Sequence, residues 1–368
     1  MKVCVTGATG FVGAHVVRAL IERGDEVRVV YRNPERLEAL RGLEYSRTKA
    51  DVLDYRAMRR ALRGVDVLFH VAGFVGSRPV ERVWQLNAQG PVVAIEAAAA
   101  EGVRRVVLTS TISAIGTANG KPADEETDFP ENWTGLVYPD SKHAGEVGAQ
   151  EAADRREVEL VVVNPAYVLG VPVNRAQPGE TSTRTIGNYL RGRLPGVVDA
   201  PMNFVDVEDV ATGHVLACER GTPGERYILG AENRTWPELI DRVAELSGVR
   251  YPIVVLPTVI AKVARVREAL GLPSLISAEA TNLMGQDWRF SIEKAERELG
   301  YSPRPVDQTL QDTIDWYREL IDDGAFAESR GSNLSRFADS MRMASRMGLL
   351  TPIRVGQRVI GRRIIAGG

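Results

Sequence analysis

The chain has 368 residues, of which 44% are apolar and 26% are charged, and its formal net charge is -2. These values are typical of a globular protein with a full-sized core, and they give no indication of a nucleic-acid partner. Cys4 and Cys218 have the spacing of neither a zinc site nor a disulfide framework, so we predict a reducing compartment and no metal. No apolar run approaches the ~20 residues that cross a bilayer. The first predicted strand begins at residue 2, so we expect a cytoplasmic protein without a signal peptide.

The first elements are a short apolar strand, a glycine turn and an amphipathic helix, within which residues 3–13 read VCVTGATGFVG. Gly7 permits the tight turn, Gly10 lets the backbone approach a pyrophosphate, and Gly13 lets the helix pack closely on the strand. The pyrophosphate would bind the unpaired N–H groups at the start of that helix. The segment predicts a dinucleotide site, and the alternative is an ordinary glycine turn before a helix.

Strands and helices then alternate along the chain. The patterns predict strands at 26–32, 43–49, 65–71, 105–110 and 159–163, separated by helices at 34–41, 55–62, 83–101 and 139–155. This alternation predicts an α/β fold with a doubly wound parallel sheet, the Rossmann arrangement, and right-handed crossovers. Ligands of such sheets bind beyond the carboxyl ends of the strands.

The pattern becomes less regular after residue 165. Residues 170–203 are rich in Gly, Pro, Thr and Arg and are expected to form a loop-rich insertion. Beyond them we predict a strand at 203–207, a helix at 209–219, a strand at 226–229, helices at 236–247 and 257–270, and a mainly helical remainder to 322. The predicted domains are a nucleotide-binding domain over 1–165 to which 203–230 returns, a smaller C-terminal substrate-binding lid over 166–202 and 231–324, and a tail over 325–368.

The end of the second strand bears on the choice of cofactor. A carboxylate normally stands there in NAD-binding domains and accepts hydrogen bonds from the adenosine ribose. Here the strand ends in Tyr31, Arg32 and Asn33. Arg32, with Arg36, would instead pair with a 2′-phosphate, because a guanidinium fork suits a phosphate better than an ammonium does. The sequence therefore favours NADP, and the alternative is that Arg32 is an ordinary surface residue.

A second pattern indicates the chemistry. Tyr138 and Lys142 are four residues apart and therefore share one helical face. An ammonium near a phenol favours the phenolate and lowers a pKa that is ordinarily about 10, which allows proton exchange with an alcohol or ketone near neutral pH. The strand before this helix ends in Thr109, Ser110 and Thr111, and one of these hydroxyls can hydrogen-bond the reacting oxygen. The alternative is a chance spacing of Tyr and Lys.

These segments resemble the motifs of extended short-chain dehydrogenase/reductases, in the NAD-dependent epimerase/dehydratase superfamily. The resemblance runs from residue 1 to about 320 and begins with the glycine turn. It continues through Asp51-Val52, His70-Val71-Ala72, Asn87, Asn164-Pro165, Val168-Leu169-Gly170, Phe204-Val205-Asp206-Val207 and Asp209-Val210-Ala211. By alignment to Gly116, Thr111 falls on the family's catalytic Ser/Thr, with Ser110 one place before it.

The resemblance implies roles for individual residues. Tyr138 would be the general acid/base, Lys142 would lower its pKa and bind the nicotinamide ribose, and Thr111, helped by Ser110, would hold the substrate oxygen. The implied cofactor contacts are Gly7, Thr9, Gly10, Phe11, Val12, Gly13, Arg32, Asp51, Val52, Val71, Ala72, Thr109, Tyr138, Lys142, Asn164, Pro165 and Val168.

Within the family, the sequence of these motifs is similar to that of dihydroflavonol reductase-like and hydroxysteroid dehydrogenase-like members. Residues 224–230 also resemble the hopanoid-associated sugar epimerases. Many sugar-nucleotide epimerases place an arginine just before the Phe-Val strand, where it holds a diphosphate, but this chain has Pro201-Met202-Asn203 there. Arginines that could substitute are Arg175, Arg184, Arg191 and Arg193. Side chains that would line an apolar pocket, or else pack in the core, are Phe74, Trp84, Trp133 and Tyr167.

We therefore predict an NADP-preferring oxidoreductase that transfers a hydride between NADP(H) and a ketone, an aldehyde or a secondary alcohol on a fairly apolar small-molecule substrate. One alternative is a sugar-nucleotide epimerase or dehydratase with tightly bound NAD. Another is a non-catalytic NADP-binding sensor, against which the intact Tyr138 and Lys142 argue.

The tail departs from the family pattern. Residues 325–368 contain eight Arg and two acids, a net charge of +6, so the rest of the chain carries -8. Apolar or small residues recur at helical spacing among the arginines, at Leu334, Phe337, Met341, Ala344 and Gly348. A basic amphipathic helix of this kind can lie on an anionic membrane at its cytoplasmic face. The alternative is an extension that packs on the same protein or on the partner in a homodimer.

Overall fold

The computed structural model describes residues 1–118, 120–130, 136–173, 182–257, 283 and 285–325, and beyond them only 340, 343–344, 347, 349–350, 352–353, 357 and 363–367. The predicted helix at 257–270, Trp133, Arg175 and most of the tail therefore lie outside the described residues. Among those that are described, no helix is long and apolar enough to cross a membrane. Cys4 and Cys218 are buried free thiols.

Thirteen strands are described, and seven of them form the main sheet. In chain order they are β1 (Lys2–Thr6), β2 (Glu26–Tyr31), β3 (Ser46–Lys49), β4 (Val67–His70), β5 (Arg105–Thr109), β6 (Glu159–Pro165), β7 (Tyr167–Leu169), β8 (Gly196–Val198), β9 (Pro201–Asp206), β10 (Arg226–Leu229), β11 (Glu232–Thr235), β12 (Ile253–Leu256) and β13 (Ile365–Ala366). The main sheet has the order β10-β6-β5-β4-β1-β2-β3, and every neighbouring pair in it is parallel. The predicted doubly wound parallel sheet is confirmed.

Helices cover both faces of this sheet, and three more, the sixth, eighth and ninth, pack in the smaller C-terminal part. They are α1 (Phe11–Glu22), α2 (Tyr55–Leu62), α3 (Val80–Trp84), α4 (Gly90–Ala100), α5 (Val137–Arg156), α6 (Arg184–Leu190), α7 (Val207–Arg220), α8 (Trp236–Ser247) and α9 (Val306–Asp322). Val3 and Val5 pack into the core that contains α1 and α7, whereas Cys4 between them packs into the core of α2, α4 and α5. Successive strand side chains point to opposite faces, so a strand buried on both faces is apolar throughout.

Two smaller sheets complete the C-terminal part. In one of them β9 pairs parallel with β7 and antiparallel with β11. In the other, β12 pairs parallel with β8 and antiparallel with β13. The predicted loop-rich segment at 170–203 thus contains α6, β8 and the start of β9. These elements have seven, three and six residues, and their stability comes from pairing with distant segments rather than from a local pattern.

Other sequence-derived elements also differ in detail. The predicted helix at 34–41 is a 3-10 helix, Pro34–Leu40. The predicted helix at 83–101 begins earlier, with α3, and continues through a π-helical turn, Gln85–Gln89, into α4. The strand expected to return to the main sheet at 203–207 is β9 of a smaller sheet, whereas β10 does join the main sheet. The domain boundaries themselves stay a prediction.

Candidate active site

The glycine turn between β1 and α1 is shaped for a ligand that approaches the backbone. Gly7 has φ +66°, and a Cβ on it would lie 2.6 Å from the Ala72 nitrogen. A Cβ on Gly13 would lie 2.1 Å from the Gly7 oxygen, so larger residues fit neither position. Helix α1 begins at Phe11, and no described side chain caps its start at Gly10. Its first N–H groups are therefore available to a phosphate, and the residues present fit a dinucleotide.

A buried hydrogen-bond chain holds the end of β4 beside this turn. The Thr6 hydroxyl accepts from the Ala72 N–H at 3.3 Å, and it lies 3.1 Å from His70 Nδ1. Burial, with a smaller effect of the Lys142 charge, lowers the pKa of His70 to about 3. His70 is therefore neutral near pH 7, and its ring nitrogen holds the Thr6 hydroxyl by a hydrogen bond. This arrangement fixes the backbone of Val71 and Ala72 against Gly7.

At the expected adenosine end, one carboxylate is shared between two arginines. Asp51 Oδ2 lies 3.9 Å from Arg32 Nη1 and 3.5 Å from Arg82 Nη2. Asp51 Oδ1 accepts the Leu53 N–H at 3.0 Å, while Val52 is buried. Sequence reasoning selected Arg32, Asp51 and Val52 but not Arg82. No motif marks an arginine at that position, and only the fold brings it to Asp51.

Lys142 lies at the carboxyl end of β5. Its ammonium donates to the Thr109 carbonyl at 2.8 Å, and the Thr109 hydroxyl is 2.7 Å from His214 Nε2. His214 Nδ1 is 2.7 Å from the Val210 carbonyl, which only a protonated nitrogen can approach favourably, so Nε2 accepts from Thr109. Burial lowers the pKa of Lys142 to about 8, opposed in part by the negative charge of Glu146. Near pH 7 Lys142 is thus mostly charged.

The Thr111 side chain lies close enough to Tyr138 to influence the pKa of its phenol. Burial raises the pKa of Tyr138 to about 12, with a smaller opposing effect of Thr111, so the pKa lowered by Lys142 that the sequence predicted is not what the structure shows. The Thr111 hydroxyl also accepts from the Ser113 N–H at 3.3 Å and lies 3.2 Å from the Ser113 hydroxyl. The Ser110 hydroxyl is buried and has no hydrogen-bond partner among the described residues. It is therefore available to form a hydrogen bond with a ligand at the carboxyl end of β5.

Behind these groups lies a buried network of Asn164, Glu146 and Arg226, of which the sequence analysis selected only Asn164, as a cofactor contact. Asn164 Nδ2 is 3.1 Å from both the Thr111 carbonyl and Glu146 Oε2, and Arg226 donates to Glu146 Oε1 at 3.3 Å. Glu146 follows Lys142 by one helical turn, and this spacing was the available signal in the sequence. The network holds the Thr111 backbone and supports the charged form of Lys142. Pro165 and Val168, two other predicted cofactor contacts, follow Asn164 along the chain. The Val168 carbonyl accepts a hydrogen bond from the Ser182 hydroxyl.

The side chains considered for an apolar pocket occupy different places. Phe74 is held by Asn87, whose carboxamide accepts from the Phe74 N–H at 2.8 Å and donates to its carbonyl at 2.9 Å. Trp84 is 37% exposed. Tyr167 packs edge-on against Trp236, with 4.8 Å between ring centroids, and belongs to the core of the smaller part. Of the described candidates, Phe74 and Trp84 are therefore the side chains that could contact a substrate.

Comparisons with known proteins agree with this geometry. A model of the NAD dependent epimerase/dehydratase family matches residues 3–230. A Synechocystis sp. protein that bears the name of a dihydroflavonol 4-reductase is 32% identical over 85% of this chain and 94% of its own length. Cinnamoyl-CoA reductase 1 of Arabidopsis thaliana is 33% identical over 85% of this chain and 88% of its own length.

Solved structures agree as well. The crystal structure of a nucleoside-diphosphate-sugar epimerase from Pseudomonas aeruginosa has a TM-score of 0.73 and 28% identity to this chain, and the match covers 89% of this chain and 99% of that one. The family model spans more than half of the sequence and includes the glycine turn, Tyr138 and Lys142. The chain belongs to the NAD-dependent epimerase/dehydratase family, within the extended short-chain dehydrogenase/reductases, and is an enzyme that depends on NAD(P).

Proposed function

We propose that the protein is an NADP-preferring oxidoreductase that interconverts a ketone or aldehyde and the corresponding alcohol on a fairly apolar small molecule. The observation that carries the proposal is the placement of Tyr138 and Thr111 at the carboxyl end of β5, where the Lys142 ammonium donates to the Thr109 carbonyl at 2.8 Å. The relatives named for reductases act, by their names, on a dihydroflavonol and a cinnamoyl thioester. Both of those compounds are aromatic, which fits the surface offered by Phe74 and Trp84.

In the proposed mechanism the cofactor, when bound, supplies or accepts the hydride. With its pKa near 12, Tyr138 is protonated at neutral pH and so is prepared to donate its proton to a carbonyl oxygen during reduction. Thr111 and Ser110 would hold that oxygen by hydrogen bonds. The Lys142 ammonium would bind the ribose and stabilise the phenolate that remains on Tyr138 after the proton has moved. In oxidation of an alcohol, the phenolate takes the proton back.

The sugar-nucleotide alternative has a specific observation against it. Asn203, in the place before the Phe-Val strand, does not face a diphosphate but joins three segments of the smaller part. Its carboxamide accepts from the Ala231 N–H at 2.9 Å and donates to Asn233 at 2.9 Å and to the Phe290 carbonyl at 3.4 Å. The segment 224–230, which resembles the sugar epimerases in sequence, contains β10 of the main sheet. Its sequence therefore does not indicate which substrate is bound.

The NADP preference is tested by removing the guanidinium of Arg32. We expect NADP to bind wild type more tightly than NAD, and Arg32→Ala to remove most of the difference. A charge-assisted contact to the 2′-phosphate contributes about 1.5–3 kcal/mol, which is roughly tenfold or more in affinity. Titration of both cofactors against both proteins measures this. Equal affinities in wild type, or a preference for NAD, would contradict the proposal.

We also propose that the protein is cytoplasmic and that its tail contacts an anionic membrane. Met343, Met347 and Leu349 are 66%, 67% and 62% exposed, in a stretch that carries no acid after Asp339. Each arginine near an anionic surface contributes about 1 kcal/mol. The end of the chain packs on the protein instead, because β13 pairs with β12 and the Gly367 N–H donates to Asp241 at 2.7 Å. A truncation would therefore disturb the fold.

A substitution in the full chain tests the membrane contact more cleanly. We expect wild type to cosediment with anionic vesicles at low salt but not with neutral ones, and the triple variant Met343→Ser/Met347→Ser/Leu349→Ser to lose most of that binding. Val147→Ser, which removes an exposed apolar side chain from α5, is the matched control. If wild type does not cosediment with anionic vesicles at low salt, the proposed membrane contact is wrong. If the triple variant instead splits a dimer, the exposed side chains serve a homodimer.

A further inference from the structure

Arg82 lies beside the carboxylate of Asp51, which is also approached by Arg32. Arg32 follows β2 and Arg82 lies in α3, so the two arginines come from separate parts of the chain. Both guanidinium groups nonetheless approach the same oxygen, Asp51 Oδ2, at 3.9 Å and 3.5 Å. The other oxygen of Asp51 is taken by the Leu53 N–H at 3.0 Å, which fixes the carboxylate between them. The fold thus builds a small cluster of two cations and one anion.

The net charge of this cluster decides what it can bind. Arg32 and Asp51 alone form a neutral pair, and the carboxylate would repel a phosphate next to it. Arg82 adds a second cation and leaves a net charge of +1. A cluster of that charge attracts the 2′-phosphate of NADP, whereas the 2′-hydroxyl of NAD gains little from it.

Arg82 is also held more firmly than Arg32. Its side chain is 32% exposed, against 65% for Arg32, and its Nη1 lies 3.5 Å from the Gln85 side-chain oxygen. Helix α3 continues directly into the π-helical turn, where Asn87 donates to Ser141 of the catalytic helix α5 at 3.1 Å. The position of Arg82 is therefore set by the same segment that braces the helix of Tyr138 and Lys142. A group held in place loses less conformational entropy when it binds a ligand.

We propose that Arg82 is a second determinant of cofactor specificity, which acts with Arg32 on the 2′-phosphate of NADP while Asp51 orients both guanidinium groups. The inference rests on the proposed NADP preference. It adds a residue of α3 to the arginine at the end of β2. Loss of either arginine should therefore weaken NADP binding, and loss of both should leave a cluster that carries only the charge of Asp51.

The test is titration of NADP and NAD against wild type, Arg82→Gln, Arg82→Lys, Arg32→Ala and the double variant. We expect Arg82→Gln to weaken NADP binding by about tenfold and NAD binding by less than about twofold. Arg82→Lys keeps the charge and should recover part of the loss, and the double variant should bind both cofactors alike or favour NAD. Arg297→Gln is the matched control, because Arg297 is an exposed arginine that pairs with Glu298 in the smaller part.

The outcomes separate this inference from the proposal on which it rests. If wild type prefers NADP and Arg82→Gln keeps that preference, Arg82 has no such role but the proposed function stands. If Arg82→Gln weakens NADP and NAD equally, or Arg82→Lys recovers nothing while Tm falls, Arg82 is only a structural ion pair. If wild type itself does not prefer NADP, the proposed preference fails first and this inference falls with it.

Discussion

Replacing Tyr138 with phenylalanine is expected to lower turnover by about 10²–10⁴-fold, the usual contribution of a general acid/base. The substitution removes one hydroxyl, so the proton donor is lost while the shape of the site is kept. Cofactor affinity should change little, because the Lys142 ammonium and the glycine turn are untouched. Steady-state rates with a ketone substrate, together with NADP titration of the same variant, measure both quantities.

Tyr189→Phe provides the matched control for this experiment. Burial raises the pKa of Tyr189 to about 12 as well, but its hydroxyl lies 3.0 Å from the Val249 carbonyl and 2.8 Å from the Gly367 carbonyl, in the smaller C-terminal part, and shares its one hydrogen between them. Its loss should lower Tm and leave turnover near the wild-type value. Wild-type-like turnover in Tyr138→Phe would remove Tyr138 from the mechanism.

Replacing Lys142 with methionine should impair catalysis and cofactor binding together. In the proposed mechanism the variant loses the charge that stabilises the Tyr138 phenolate, so we expect turnover to fall by at least about 10²-fold. It also loses the charged donor that we propose for the cofactor ribose, which should weaken cofactor binding by about tenfold. Lys294→Met is the matched control, since Lys294 pairs with Glu225 in another part of the molecule. A Lys142→Met enzyme that binds NADP as wild type does would contradict the assigned contact.

The direction of the Lys142 pKa shift also predicts a pH dependence. Burial lowers this pKa from 10.5 to about 8, so the ammonium is present below that pH and is lost as the pH rises through it. The affinity of the free enzyme for NAD, which has no 2′-phosphate to titrate at about pH 6, should therefore be nearly constant below pH 7 and should fall above pH 8. Titration of wild type across this range measures the effect. Lys142→Met should show no such fall, because it has no group there to titrate.

Local patterns in the sequence were sufficient for the nucleotide-binding part of the fold. Gly13 is required by its contact with Gly7, six residues earlier, and the central strands of a sheet covered on both faces are rich in apolar residues. Tyr138 and Lys142 share a helical face through their spacing alone. These are features that a short window of sequence contains.

The remainder depends on contacts between distant segments. Strand β8 pairs with β12, which in turn pairs with β13 near the end of the chain, and no local pattern marks three such short strands. The pairing of Asp51 with Arg82 and the bond from Asn164 to Glu146 likewise arise only when separate elements meet. The missed elements and residues are thus those whose stability or position is set by tertiary contacts.

The most direct test of the account is to follow NADPH labelled with deuterium on the transferable position while the enzyme is offered apolar ketones and, separately, nucleotide sugars. We predict that NADPH exchanges freely, is consumed one for one with a ketone, and delivers the label to the carbon of the new alcohol. If the purified protein retains NAD and interconverts a nucleotide sugar without net consumption of cofactor, the protein is an epimerase and the central claim is wrong.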